Sequence, residues 1–344
     1  MAAQRLKFGV RLLDDLGGAR ELVELARRAE ELGFDTLWFP HDAFRLNSWV
    51  LHSAVAQVTS RIELFARTNL YTTDPSEIAT YAATLDEIAQ GRVGLTIGLH
   101  NFDTITWVGM DGRDIFPRVR EATEIVRRLL RGERVAYQGQ MYRWTEKAYL
   151  RAKPFRPDLP ILICPVGEEF LELSGEIGDG TLPMVTPPES AGLIMEPVLR
   201  GLKRSPNPNR PFDKCAFVWM AISDDRREAR DMLANVVAYF GTYLDPRALA
   251  VIGLTIEDFR PAYTRIMARE YEGARALVTN DMLRTGIYGT PEDCARQLEV
   301  VINAGFDHIS IGGPLGQNPA EAMRLIAERV IPHFRPVTAL GGQP

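Results

Sequence analysis

A chain of 344 residues, 46% hydrophobic and 25% charged with 28 glycines, reads as a globular protein with a sizeable core, in one large α/β domain or two ordinary ones. A formal net charge of −5 without polybasic runs argues against a nucleic-acid partner, and no stretch is long and apolar enough to span a membrane. Cys164, Cys215 and Cys294 are too few and scattered for a disulfide framework or a thiolate metal site; MAAQRLKFGV lacks a signal-peptide core, so a reducing cytoplasmic location is expected.

The first strand is predicted over residues 6–13. A helix over 19–32 follows, with leucines and alanines at helical spacing and Gly33 ending it. The second strand, 34–39, stops at Pro40. Ser48 is expected to cap a helix over 49–58, and the third strand covers 61–68. Asp74 and Pro75 open the next helix with a capping side chain and a first-turn proline. It ends near Gln90, and the fourth strand is 92–98. After a helix over 116–130, residues 132–158 lack helical periodicity and are expected to hold a short hairpin over the edge of the fold. The fifth strand (160–164), a helix (168–177), a short sixth strand (181–184), a helix (187–202) and the seventh strand (214–222) follow. A mostly helical excursion over 224–274 precedes the eighth strand (306–311) and a closing helix (319–330). Eight strands, each with its own helix, predict a closed (β/α)8 TIM barrel, and no linker divides the chain. One domain over 1–344 is expected, with insertions at about 132–158 and 224–285.

Parallel α/β folds place their chemistry at the C-terminal ends of the strands. The second strand ends in His41 and Asp42, a pair able to hold a polar ligand or move a proton. Arg67, Thr68 and Asn69 close the third strand with a cation, a hydroxyl and an amide suited to the polar edge of a heterocycle. Gly98 at the end of the fourth admits a ring close to backbone, and His100 beyond it is a second candidate proton donor. Arg11, near the end of the first strand, must meet a carboxylate, a phosphate or solvent. Free backbone N–H groups at Val166, Gly167 and Glu168, where the fifth strand enters its helix, form one candidate anion site, and the glycine-rich turn 312–316 another. The five histidines show no metal-binding spacing, so no metal is expected, and no Gly-x-Ser-x-Gly elbow occurs. Cys164 reads as a small buried filler. Trp38 and Trp219 are expected to pack inside the barrel, and Trp107 and Trp144 to line a planar pocket.

Three segments, TNLYTTDPSEIATYAATLDEIAQGRVGLTIG (68–98), LELSGEIGDGTLPM (171–184) and YGTPEDCARQLEVVINAGFDHISIGGPLGQNPAEAMRLIAERVIPHF (288–334), resemble the bacterial-luciferase-like superfamily. Within it, the chain is most similar to the coenzyme F420-dependent methylenetetrahydromethanopterin reductases. The resemblance implies a TIM barrel, usually dimeric, that binds a deazaflavin or flavin across the strand ends and passes hydride between it and a small-molecule substrate. It implies that His41 and Asp42 line the cofactor pocket, that Thr68 and Asn69 lie beside the deazaflavin, and that Gly167 and Glu168 bind phosphate. A non-proline cis peptide bulge is implied near Ala66 and Arg67, which makes Ala66 a further cofactor contact. Two positions depart from the family pattern. Arg11 stands where the reductases carry a catalytic glutamate, and Val166 where they carry a glutamine. Arginine is a poor proton donor near neutral pH, so His41 or His100 is expected to move the proton while Arg11 steadies negative charge. The expected activity is an F420-dependent oxidoreductase, with a methylene-tetrahydropterin or folate as a candidate substrate. An FMN-dependent monooxygenase and a non-catalytic cofactor-binding protein are the alternatives, and FMN or NADPH the alternative cofactors.

Overall fold

Side chains along the first strand alternate between two cores, and that alternation builds the molecule. In β1 (Lys7–Arg11), Phe8 and Val10 are fully buried in a large cluster shared with Leu22 and Ala26 of the helix Ala19–Glu31. The same cluster takes Leu37 and Phe39 of β2 (Thr36–Phe39), Leu64 and Ala66 of β3 (Glu63–Asn69), and Leu95 and Ile97 of β4 (Val93–Gly98). A second cluster holds the residues of opposite parity, among them Trp38, Phe65, Cys215 and Phe217. These computed coordinates, a structural model, describe residues 5–41, 44–98, 107, 109–110 and 112–335.

Seven further strands are a hairpin of β5 (Tyr137–Gln138) and β6 (Arg143–Trp144), then β7 (Ile161–Cys164), β8 (Gly180–Thr181), β9 (Asp213–Ile222), β10 (Ile287–Gly289) and β11 (His308–Leu315). All neighbours in the main sheet are parallel, in the order β10-β9-β11-β1-β2-β3-β4-β7-β8, and β8 pairs back onto β9. Eight strands therefore close into the expected (β/α)8 barrel. The ninth, β10, lies outside the ring, pairing Ile287–Gly289 with Met220, Ala221 and Ile222 at the mouth end of β9.

Several local expectations shift. The sixth strand is two residues, Gly180–Thr181, overlapping the predicted 181–184 only at Thr181. The helix Ser48–Val58 is capped by Asn47, whose Oδ1 accepts from Trp49 N at 2.9 Å and Val50 N at 3.2 Å. Ser48 instead donates to the Phe39 carbonyl at 3.2 Å. Asp74 does cap its helix, accepting from Ser76 N at 2.9 Å. Ala66 and Arg67 stay in regular register with Leu95 and Thr96, and among the described residues the cis peptide is Gly313–Pro314. The implied non-proline bulge is not formed.

Two charged residues of the TLDEIAQGR segment have structural work. Asp86 Oδ1 accepts from Val93 N at 3.1 Å and the carboxylate binds Arg156 at 2.9 and 3.0 Å. Arg92 donates to the Ile62 carbonyl at 2.8 Å and the Thr59 carbonyl at 3.0 Å, holding the entry to β3. The hairpin rests on the helix Ile115–Leu130, where Glu121 accepts from Gln140 N, Met141 N and Tyr142 N at 2.7 to 3.1 Å. Trp144, paired with Tyr137 there, packs against the outer core and lines none of the mouth cavities described below. No described helix is long and apolar enough to cross a membrane.

Candidate active site

The two ends of the barrel interior differ in chemistry. At the N-terminal end, His308 Nδ1 meets Asp213 at 2.9 Å, its Nε2 lies 2.8 Å from Thr36 Oγ1, and Trp38 Nε1 donates to the same hydroxyl at 3.2 Å. Trp38 stacks on Phe65 at 4.3 Å, as the barrel-packing expectation requires. Asp213, Cys215 and His308 have ligand atoms within 4.8 Å of one another, but Lys7 and Lys214 add positive charge beside Asp213 and oppose a cation. His308, moreover, is already engaged at both ring nitrogens.

The C-terminal end opens into two adjoining cavities. The first has about 810 Å³ of empty space and is lined by Arg11, Asp15, Arg45, Arg67, Phe217, Trp219 and Tyr239 among others. The second, about 410 Å³, runs past Val166, Gly167 and Tyr243. Met184, Val185, Trp219 and Phe240 line both, so the cavities share a wall. Concave, largely apolar and carrying a few charged groups, they have the character of a small-molecule site.

Strand parity and packing place each side chain of the first cavity. The Arg11 guanidinium carbon lies 4.4 Å from the centre of the Phe217 ring, a cation–π contact that fixes the plane of the charge. Arg67 is almost fully buried, and its Nη2 donates to Cys164 Sγ at 3.4 Å. Cys164 therefore holds a guanidinium as well as filling space. Trp219 sits 6.1 Å from Phe240, and Tyr239 meets Phe240 edge-on at 4.6 Å. Trp219 packs in the core cluster with Trp38 and Phe65 as expected, and at the same time lines both mouth cavities. The aromatic wall comes from the helix Arg226–Phe240, inside the segment read from sequence as a mere excursion.

At the second cavity, Gly167 has φ +82° and opens the helix Glu168–Ile177 without a side-chain cap. Its first-turn N–H groups stay available to an anion. The Glu168 side chain serves elsewhere: it pairs with Arg200 and, at 2.6 Å, with Arg247, which together hold its carboxyl below the usual range. Any contact of Glu168 with a ligand is through its backbone.

The remaining candidates divide. Arg11 and Arg67 share one cavity, and Val166 and Gly167 the other. His41 lines a neighbouring surface groove with Phe44, Arg45, Asn47 and Thr73, whose wall includes Arg45 of the first cavity. Exposed Trp107 lies 6.0 Å from Phe44 beside that groove. Asn69 follows Arg67 in parity, with its Nδ2 buried and without a hydrogen-bond partner; Thr68 Oγ1 is likewise unpartnered. Ala66 packs in the outer core, so only its backbone can face the mouth. A side chain at Gly98 would meet the Cys164 carbonyl at 2.6 Å, so that space is taken by β7. Asp42 and His100 lie outside the described residues.

Asp15 was missed in the sequence because it belongs to no strand end. Leu16 N donates to the Leu13 carbonyl at 3.0 Å, and this turn brings Asp14 and Asp15 to its corner. Asp14 pairs with Arg45, whereas Asp15 lines the first cavity.

Known proteins are similar to this chain in sequence and fold. The 5,10-methylenetetrahydromethanopterin reductase of Archaeoglobus fulgidus is 29% identical over 96% of this chain and all of its own length. The F420-dependent glucose-6-phosphate dehydrogenase of Kineococcus radiotolerans is 27% identical over 97% of this chain and 98% of its own. The solved coenzyme F420-dependent tetrahydromethanopterin reductase of Methanopyrus kandleri superposes with a TM-score of 0.88 at 25% identity, covering 96% of this chain and 100% of that one. The profile of the luciferase-like monooxygenases matches residues 6–308, and the chain belongs to that family.

Proposed function

We propose that this protein is an F420-dependent oxidoreductase that transfers a hydride between the deazaflavin and a small organic substrate, a methylene-tetrahydropterin or folate being the leading candidate. The observation that carries the reading is the paired cavity, cationic and aromatic on one side and opening on an uncapped helix N-terminus on the other. The residues fit such a cofactor. Gly167 and the first turn of its helix would hold a phosphate, and the unpartnered Asn69 amide nitrogen would donate to a polar ring edge. A reduced deazaflavin, when bound, supplies the hydride. The chain's own part is orientation and charge: Arg11, fixed on Phe217, and Arg67, held by Cys164, steady negative charge on the substrate. Similar proteins named as an F420-dependent reductase and an F420-dependent dehydrogenase support this reading. Assembly as a cytoplasmic homodimer is part of it, and sedimentation equilibrium checks the assembly.

Titrating the purified protein separately with F420, FMN and NADPH tests the cofactor. Tighter binding of F420, followed by oxidation of its reduced form on addition of a methylene-tetrahydropterin or folate, is expected. Retained FMN with oxygen consumption would favour a monooxygenase, and binding without hydride exchange a non-catalytic role.

A further inference from the structure

We propose that Asp15 carries the proton of the reaction, donating it to the substrate heteroatom from the rim of the Arg11–Arg67 cavity. The inference rests on the hydride-transfer reading above. Reduction of a C=N or C=O bond puts negative charge on the heteroatom, which needs a proton. The cations lining the cavity, Arg11, Arg45 and Arg67, stabilise that charge but are poor donors. His41 lines the neighbouring groove and not this cavity. Asp15 is the one carboxyl among the described residues that line the cavity.

Its surroundings suit the task. The turn closed by Leu16 N and the Leu13 carbonyl at 3.0 Å fixes its position, and the ion pair of Asp14 with Arg45 keeps the adjacent acid away. Asp15 is an exposed residue of the rim, and partial desolvation of its carboxyl by the surrounding groups pushes its pKa up, with Asp14 acting in the same direction and Arg45, its own backbone and Arg11 opposing. Arg67 from β3 and Tyr239 from the helix above face the same space. The residue still reaches solvent, so water can reload it. In the step itself, the Asp15 O–H bond breaks as an N–H or O–H bond forms on the substrate; in a methylene-tetrahydropterin, whose carbon bridges two nitrogens, the C–N bond to the protonated nitrogen breaks with it and its electron pair stays on that nitrogen. The adjacent carbon gains the hydride and its two electrons, the reduced deazaflavin is the group oxidised, and the carboxylate takes its next proton from solvent.

Asp15→Asn and Asp15→Glu test the proposal in two ways. In the cofactor-free protein, a ¹³C carboxyl titration should show one aspartate resonance titrating above the ordinary range and absent from Asp15→Asn. With F420 and substrate, Asp15→Asn should lower kcat by about 10²-fold or more, the usual weight of a general acid, with KM and F420 affinity changed less than about twofold. Asp15→Glu should restore part of the loss and shift the alkaline limb of the pH profile. An ordinary or lowered titration, or wild-type kcat in Asp15→Asn, overturns the assignment while leaving F420 binding intact. Failure to bind F420 instead defeats the parent reading, and the Asp15 role falls with it.

Discussion

Replacing Gly98 with alanine should destabilise the barrel by about 1–2 kcal/mol, because a methyl there meets β7 and not open space. The added Cβ would lie 2.6 Å from the Cys164 carbonyl oxygen and 3.0 Å from Cys164 Cβ, both too close for contact. Gly98 and Cys164 are direct partners in the parallel pairing of β4 and β7, so the strands must part locally. Overpacking of this kind costs about 1–3 kcal/mol. The reduced freedom of the unfolded alanine chain offsets about 0.4–1 kcal/mol of that. The same displacement moves Cys164 from Arg67, its partner at 3.4 Å, and loosens one wall of the mouth. Urea denaturation reads the first effect. Thiol labelling under native conditions reads the second, since Cys164, Cys215 and Cys294 are all buried and should react slowly in the wild type. Gly192→Ala is the control: it lies in the helix Ala191–Arg204 with no heavy atom within 4 Å of the added Cβ. It should stabilise by up to about 1 kcal/mol. Equal stability of Gly98→Ala and wild type, with unchanged thiol labelling, would refute the reasoning.

Three other outcomes follow from the geometry. Phe217→Leu removes the ring 4.4 Å from the Arg11 guanidinium; the lost cation–π contact, about 1 kcal/mol, should raise substrate KM roughly fivefold with F420 affinity unchanged in a direct titration. Asp86→Asn breaks a pair in which Asp86 is 2% and Arg156 27% exposed; stability in urea should fall by about 2–3 kcal/mol, below the full cost of a buried pair because solvent reaches the arginine. His52 is held neutral by burial, its pKa lowered from 6.5 to about 4. The unfolded chain takes up a proton below 6.5 that the native state refuses, so stability is complete above that pH and is lost as pH falls towards 4. That loss amounts to about 3 kcal/mol, and His52→Leu should flatten the stability–pH slope by roughly 1.4 kcal/mol per pH unit in this window; an unchanged slope would show that His52 titrates normally.

The barrel was legible where periodicity ran long. The helix Ala19–Glu31 and β2 carry enough alternating apolar positions to set both type and order. Ile287–Gly289 escaped because three residues are too few to show a period, and the strand is defined by its pairing with β9. The cap at residues 47 and 48 misled for another reason. Asn and Ser are both good caps, and the choice was settled by a tertiary bond from Ser48 to the Phe39 carbonyl. The charges in TLDEIAQGR, within the segment that carries the family resemblance, serve the fold: Asp86 and Arg92 satisfy backbone groups at strand entrances.

The site divides along the same line. Arg11, Arg67, Val166 and Gly167 were readable because a strand end always points to the mouth. Asp15 depends on how a turn folds back, and Tyr239 and Phe240 on how a helix far in sequence from the eighth strand docks; neither leaves a local signal. This split has a mechanical meaning. Arg11, Arg67, Phe217 and Trp219 stand on paired strands whose register fixes them together. The facing wall of Val236, Tyr239 and Phe240 is carried by one helix, and its ring contacts run to Tyr243 and Tyr263 within the same excursion. Changes in that helix can reshape the substrate space without disturbing the strand-borne charges. On the proposed function, the shape of the substrate space would be set by the 224–285 segment, and the placement of charge by the barrel.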